Sequence, residues 1–533
     1  MKVRFIPLIL KCSMGLILGS SYLNASSNND AKELLNSKCV ACHTDSANSG
    51  LSRISEQRKT PEAWFMTITR MERSNGLVIS EDEKKKVVKY LSDTQGITPQ
   101  ESAPYRYILE KEPNVQEVSQ NQLFTETCAR CHSEARVGLQ KRTKNEWNNL
   151  IDFHLSYFPS IEYQALARDR DWLNIARDEV VPYLHEKFPL NEQEWKTWQS
   201  QMPENIDNSW ILSGHTLGEG DFVASLNFEK IEKDEYSLTF NGQYLDGRII
   251  EGKGKATLYS GYDLRATLKI NGKTFNQVFA IDSKNKTLEG RMFETLHPEE
   301  GSSIKGISKA SNKTDVLSVF PQSIKAGTST TLTIVGNNLN GKITLPKGIT
   351  LSKVISKDAN KIVLSVVAAQ NAKTNVGNIS IGKYVAKNSL TTYTKVDSLQ
   401  ITPSYAIARV GDGGGQTAKQ HAVFEAHGFN AGLDNKIGTA DDIVLGVIDA
   451  SWSVKAFDEG AEKREDVKYA GSIDASSGRF IPSFAGPNPK REFSTNNTGN
   501  LSVVASYFNG EKTLQAESHL IVTIQSWIKA PLN

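Results

Sequence analysis

Apolar positions recur every three to four residues through roughly the first two hundred residues and then alternate every second residue to the end of the chain. In "TPEAWFMTITRM", Trp64, Ile68 and Met71 stand at i, i+4 and i+7, and in "TKNEWNNLIDFH", Trp147, Ile151 and His154 hold the same relative places. At 3.6 residues per turn, each triplet lies on one helical face. Thr60 is placed as an N-cap with Pro61 at the first helical position, and Thr143 with Glu146 has capping-box spacing. The two halves close alike, with "SEDEKKKVVKYL", opened by a Ser80/Glu83 capping-box pattern, and "RDEVVPYL", both ending in Tyr-Leu. The spacing therefore predicts an internal repeat of helices.

After about residue 205 the runs shorten and alternate, as in "YSLTFNGQYLDG" and "DLRATLKINGKTFNQVFAID", where Asn271-Gly272 signals a hairpin. Residues 205–313 read as an antiparallel β-barrel. Next comes "VLSVFPQSIKAGTSTTLTIVGNNLNG", which resembles the opening of immunoglobulin-like IPT modules and gives a sandwich over 314–395 by length and strand rhythm. Residues 396–533 are again strand-rich, with a hairpin expected at Asn509-Gly510, and read as a second immunoglobulin-like domain.

The chain has 533 residues, room for several domains, and balances 62 basic against 60 acidic side chains for a net charge of +2. That charge gives no basic footprint for nucleic acid. The opening "MKVRFIPLILKCSMGLILGSSYLNA" has the layout of a secretory signal over 1–25, cleaved near Ala25. No later segment has the apolar length to cross a bilayer, so the expectation is an exported, periplasmic protein without membrane insertion.

Removal of the signal leaves cysteines only in "CVACH", Cys39 to His43, and "CARCH", Cys128 to His132. An exported chain with no other cysteine has no disulfide framework. CxxCH places two thiols one helical turn apart beside an imidazole, which suits covalent haem c with the histidine on iron. Zinc would need further Cys or His partners, and a thioredoxin-like switch would need a βαβ context. Two haems are therefore expected, attached through Cys39 and Cys42 and through Cys128 and Cys131, within an all-α diheme cytochrome c domain over 26–204. The fold class predicted is that domain followed by three all-β domains: the barrel and two immunoglobulin-like sandwiches.

The helical repeat suggests the distal ligands. The equivalent end of each stripe carries Met71 in one half and His154 in the other, giving His43/Met71 for the first iron and His132/His154 for the second. Met66 rivals Met71 but lies about 200° from Trp64 at about 100° per residue. His185 rivals His154 but stands near a helix end, where histidines commonly cap. Trp64 and Trp147 read as core. Methionine raises a haem's potential relative to two histidines, so electrons should run from the His132/His154 haem to the His43/Met71 haem. The acidic loop Asp434 to Asp442 lacks EF-hand spacing and reads as a turn rather than a calcium site. The Gly413-Gly414-Gly415 run has no following helix or Lys-Ser/Thr and is no phosphate cradle. No catalytic constellation can be assembled, and His215, His297, His421, His427 and His519 read as surface or core residues.

The paired motifs, the barrel, the IPT-like stretch and the segments "ITPSYAIARVGDGGG", "GTADDIVLG", "WSVKAFDEGA" and "AGPNPKRE" together resemble the alpha subunit of quinohemoprotein amine dehydrogenase over nearly the whole mature chain. The resemblance implies a heterotrimer with a propeller beta subunit and a small gamma subunit carrying cysteine tryptophylquinone. There primary amines would be oxidised, and electrons would leave through the haems to an external acceptor such as a small cytochrome c or a blue-copper protein. The alternative from the same residues is a free-standing exported diheme cytochrome with β-sandwich binding modules; a diheme peroxidase would need an open iron position.

Overall fold

The computed structural model describes residues 30–46, 50–119, 121–163, 170–413 and 417–525. The expected signal over 1–25, and Gly414 and Gly415 of the glycine run, lie outside the described residues. The chain divides into two compact units, Met1–Ile97 with Gln140–Trp195, and Thr98–Leu139 with Lys196–Asn533.

The first unit is mainly helical. A helix over 30–38 is followed by Pro61–Asn75, Glu81–Thr94, Lys144–Tyr157 and Val181–Lys187. Thr60 caps Pro61–Asn75 by accepting from the Ala63 N–H, and Gly76 ends it in the left-handed region at φ 70°, its N–H bonded to the Met71 carbonyl. Ser80 and Glu83 form the full reciprocal capping box. Thr143 caps its helix at 3.2 Å from the Glu146 N–H, but the Glu146 carboxylate is taken by Arg53, Arg142 and Asn149, so only half of that box forms. Trp64 and Trp147 are both buried, and the Trp64 indole donates to the Gln95 carbonyl at 3.1 Å.

The prediction of an all-α domain followed by three all-β domains is corrected by the structure. Gln57–Lys59 pairs antiparallel with Gln140–Arg142, and Asp45–Ser46 pairs with Gly50–Leu51, so the haem-motif region is mixed. Strands of two or three residues are shorter than one cycle of a detectable alternation. Gln57, Arg58 and Lys59 are moreover polar yet buried, with Arg58 donating to the carbonyls of Gly96 and Asn191 at 3.1 and 3.2 Å. The last domain is not all-β either: short helices Glu459–Lys463 and Asp466–Ala470 interrupt its strands. Among the described residues strand exceeds helix, 42% to 23%.

The second unit is built on an eight-stranded closed antiparallel barrel, Ser209–Thr216 to Gly301–Ser308, in which each strand pairs with the next and the last with the first. Its interior is filled by Trp210, Leu212, Phe222, Leu226, Phe240, Leu258 and Phe279, each fully buried. Closure leaves no open edge. Asn271 and Gly272 both have positive φ, 48° and 82°, as a two-residue hairpin turn requires. Beyond the barrel, two four-stranded sheets containing Asp315–Phe320 and Tyr384–Tyr393 share one core around Leu332, Ile334, Leu364, Ile379 and Leu390. The last domain has sheets of three, four and three strands. No helix among the described residues is long and apolar enough to cross a membrane.

Ion pairs join the barrel to the last domain. The His215 ring nitrogens lie 2.8 Å from Asp221 and 2.9 Å from Glu425, and Arg479 reaches Glu219 at 3.1 Å. Burial alone would lower the His215 pKa, but the hydrogen bonds to Asp221 and then Glu425 outweigh it and carry it up to about 10. The folded value thus lies above the unfolded value of about 6.5, so this stabilisation is complete below about pH 6.5 and is lost as pH rises through about 10. The denaturant midpoint lost in His215→Gln should accordingly be largest near the low end of that window and shrink toward its high end. A loss independent of pH across it would contradict the assignment.

Candidate functional site

The helix over 30–38 runs directly into the first motif. The Cys39 N–H bonds the Leu35 carbonyl at 3.0 Å, and the His43 N–H bonds the Cys39 carbonyl at 2.9 Å, so the motif continues as helical turns. Cys39, Cys42 and His43 line one cavity of about 900 Å³ together with Trp64, Ile68 and Met71. That is the size class of a cofactor pocket. Met66 is buried on the same helix and does not line it. Met71 sits where the helix stops, its sulfur 3.7 Å from the Asn75 amide nitrogen. The His43 Nδ1 lies 2.9 Å from the Ser52 carbonyl, which can only accept, so Nδ1 carries the proton and Nε2 keeps its lone pair.

The cavity wall carries a feature that spacing did not reveal. Arg53, Lys59, Arg70 and Arg142 line it, and Glu146 is the one buried carboxylate among its described lining residues. Glu146 is bonded by Arg53 at 3.0 Å and by Arg142 at 3.4 Å. Lys59 donates to Thr67 Oγ1 at 2.9 Å, and Arg70 reaches the same hydroxyl at 3.3 Å. Burial pushes the Lys59 pKa well down, with Arg142 and Arg70 adding to it, and burial takes Arg142 to about 10. Burial of the Lys59 and Arg142 charges in this wall is costly unless an anion sits against them. Haem carries two propionate carboxylates, so the donor set, the volume and the charge of this cavity all fit the group. No local pattern marks this wall: Arg53 and Glu146 are 93 residues apart, and its members meet because Gln57–Lys59 pairs with Gln140–Arg142.

In the second unit, Asn121 caps the helix Gln122–Thr127 by accepting from the Phe124 N–H at 2.8 Å, and Cys128 follows at its C-terminus. The His132 Nδ1 lies 3.1 Å from the Ser133 carbonyl, which again leaves the lone pair on Nε2. His154 belongs to the helical unit, half-buried, with Nδ1 2.7 Å from the Leu150 carbonyl and the same tautomer. His185 is exposed on the last turn of its helix. Burial raises the thiol pKa of Cys39, and that of Cys128 to about 11.

The remaining candidates resolve locally. Asp441 accepts from the N–H groups of Leu433 and Asp434 at 2.7 and 3.2 Å and from Thr439 at 2.7 Å, while Asp442 accepts from Gly438 at 2.8 Å. Asp441 and one oxygen of Asp442 close the loop's own turn. His519 stacks on Phe457 with centroids 3.9 Å apart.

Four family models match the chain in succession. They are described as the quinohemoprotein amine dehydrogenase alpha subunit haem-binding region, over 29–195, and the alpha-subunit domains II, III and IV, over 203–309, 313–394 and 399–532. No curated protein matches the chain. Among solved structures, a redesigned beta barrel, mFAP1, bound to DFHBI is 18% identical with a TM-score of 0.17, covering 19% of this chain and 91% of its own. A Bacteroides ovatus mixed-linkage glucan utilisation protein, SGBP-B, is 11% identical with a TM-score of 0.19, covering 42% of this chain and 51% of its own. Drosophila N-cadherin EC1-4 is 10% identical with a TM-score of 0.20, covering 46% and 64%.

Glu146 is the position on which the cavity's charge balance depends most. Glu146→Gln should cost about 3–5 kcal/mol of unfolding free energy, the scale for removing one partner of a buried pair. Urea titration of the purified protein measures it through the helical circular dichroism signal. A loss under about 1 kcal/mol, the scale of an exposed pair, would mean that solvent already screens the wall.

Proposed function

The chain belongs to the family of quinohemoprotein amine dehydrogenase alpha subunits, and from that membership we propose that it is the electron-transfer subunit of a periplasmic enzyme that oxidises primary amines. The haem-binding match supports a haem cofactor. The reading adds that the chain holds two haems c, takes electrons from cysteine tryptophylquinone on a gamma subunit, stands beside a propeller beta subunit, and delivers to a small cytochrome c or a blue-copper protein. The observation that carries the reading is the cavity in which Cys39, Cys42, His43 and Met71 meet beneath a cationic wall.

Haem bound there supplies a one-electron iron couple. The chain's own residues do the rest. Cys39 and Cys42 offer thiols for thioether attachment, and Cys128 and Cys131 do so in the second motif. His43 is held in one tautomer by the Ser52 carbonyl, which fixes Nε2 as its donor atom; Ser133 does the same for His132 and Leu150 for His154. Met71 presents a thioether at a helix end that Gly76 stops at a defined residue. Arg53, Lys59, Arg70 and Arg142 would offer counter-charge to haem propionates, and the buried Trp64 and Ile68 form an apolar part of the lining.

Purification of the native complex tests the assignment. It should yield this chain with two covalent haems by intact mass, together with a small quinone-bearing subunit, and amine oxidation should be absent from this chain alone. A preparation of the chain by itself that oxidises amines, or a native form without a quinone subunit, would overturn it in favour of another use of the haems.

Ligation has its own test. Met71→Ala should abolish the methionine-ligated haem spectrum and lower that haem's potential, whereas Met66→Ala should leave both unchanged. Redox titration of the two variants, followed optically, decides it. The reverse outcome would make Met66 the ligand.

A further inference from the structure

The turn between the last two barrel strands, Thr287–Glu294 and Gly301–Ser308, meets the segment that opens strand Ala422–Val423 of the last domain. His297 and His421 stack there, their ring centroids 4.9 Å apart and their planes 15° from parallel. Glu299 is buried, and its Oε1 lies 3.1 Å from His297 Nδ1 and accepts from the His421 backbone N–H at 2.9 Å. Glu300 Oε1 lies 2.6 Å from His421 Nδ1. One ligand atom from each of His297, Glu299 and His421 lies within 4.8 Å of the others.

We propose that His297, Glu299 and His421, with Glu300 at the fourth position, form a structural site for a divalent ion of the zinc class that staples the barrel to the last domain. Two imidazoles and two carboxylates are a nitrogen and oxygen set suited to such an ion. Tetrahedral ligands at about 2.0–2.2 Å from zinc stand roughly 3.3–3.6 Å apart. Glu299 and Glu300 already lie inside that spacing from a histidine nitrogen, and the His297, Glu299 and His421 ligand atoms, within 4.8 Å of one another, close on an ion by side-chain contraction and rotation of the stacked rings. The turn is held for the purpose by Arg291, whose buried guanidinium donates to the Pro298 and Glu299 carbonyls at 2.7 and 3.0 Å. Its backbone therefore cannot drift when the side chains close on an ion. The two histidines come from opposite ends of a separation of more than a hundred residues, so nothing in their spacing suggests a metal. The site is independent of the haem chemistry.

Equilibrium dialysis of the mature protein against zinc chloride, with zinc and iron counted separately by elemental analysis, tests the assignment. One zinc per chain beyond the haem iron is expected, with a rise in melting temperature. His297→Gln and His421→Gln should each lose the zinc and the zinc-dependent rise, while iron content stays the same. Anomalous scattering at the zinc edge from wild-type crystals grown with the ion gives a readout that does not depend on the variants folding, and should place the ion between His297 and His421. No stoichiometric zinc, zinc at another place, or equal binding by folded variants would overturn the proposal and leave the cluster as ion pairs alone.

Discussion

Surplus positive charge in the wall of the first cavity constrains the helical unit more than any other single feature. Arg53 and Arg142 pair with Glu146 while Lys59 and Arg70 converge on the Thr67 hydroxyl, which makes the cavity a place where an anion is stabilised and its absence is costly. The lowered pKa of Lys59 records the strain of that arrangement in the protein by itself. A fold built only for stability would bury apolar residues at positions 58, 59 and 142. The polar strand pair is thus best understood as a device for placing charge. Its backbone satisfies itself through the ladder, and Arg58 is spent on the Gly96 and Asn191 carbonyls, leaving Lys59 and Arg142 to the cavity.

A comparable device fixes the second motif to the barrel. The chain leaves the helical unit at Ile97 and returns at Gln140, and the intervening segment belongs with the barrel. Tyr262, fully buried in the barrel, bonds Ser102 at 2.9 Å; Arg106 pairs with Glu289 at 2.8 Å; and Arg291 donates to the carbonyls of Glu110 and Lys111. Glu117 then accepts from the N–H groups of Glu134 and Ala135 at 2.7 and 3.0 Å, just beyond His132. The barrel interior is packed solid with aromatic and aliphatic side chains. Its role in this unit is to supply a rigid outer surface on which a loop-rich segment is held by charge and hydrogen bonds.

Legibility in the sequence followed the range of the interaction. Caps, turns and helical faces depend on residues within four positions of one another, and Thr60, Ser80, Gly76 and the Trp64/Ile68/Met71 stripe are where local rules put them. Thr143 shows the limit. Its spacing to Glu146 is that of a capping box, yet a tertiary demand took the carboxylate, because neutralising a buried arginine is worth more than bonding one N-terminal amide. The two-residue and three-residue strands were invisible because they are shorter than the pattern that identifies a strand. The CxxCH motifs carried an expectation of haem because their residues are compressed into five positions.

The histidines of the β region looked inert for the same reason of range. A histidine 210 residues from its carboxylate, as His215 is from Glu425, carries no local mark of its role. Yet His215, His297 and His421 all lie where the barrel meets the last domain, and each has a glutamate within 3.1 Å. Apolar burial supplies most of the cohesion inside each of these β domains, but it is non-directional and would tolerate sliding of one surface over another. Paired charges with fixed hydrogen-bond geometry do not tolerate it. The concentration of titratable pairs at this one junction therefore sets register between two rigid β bodies, leaving each hydrophobic core to stabilise its own domain.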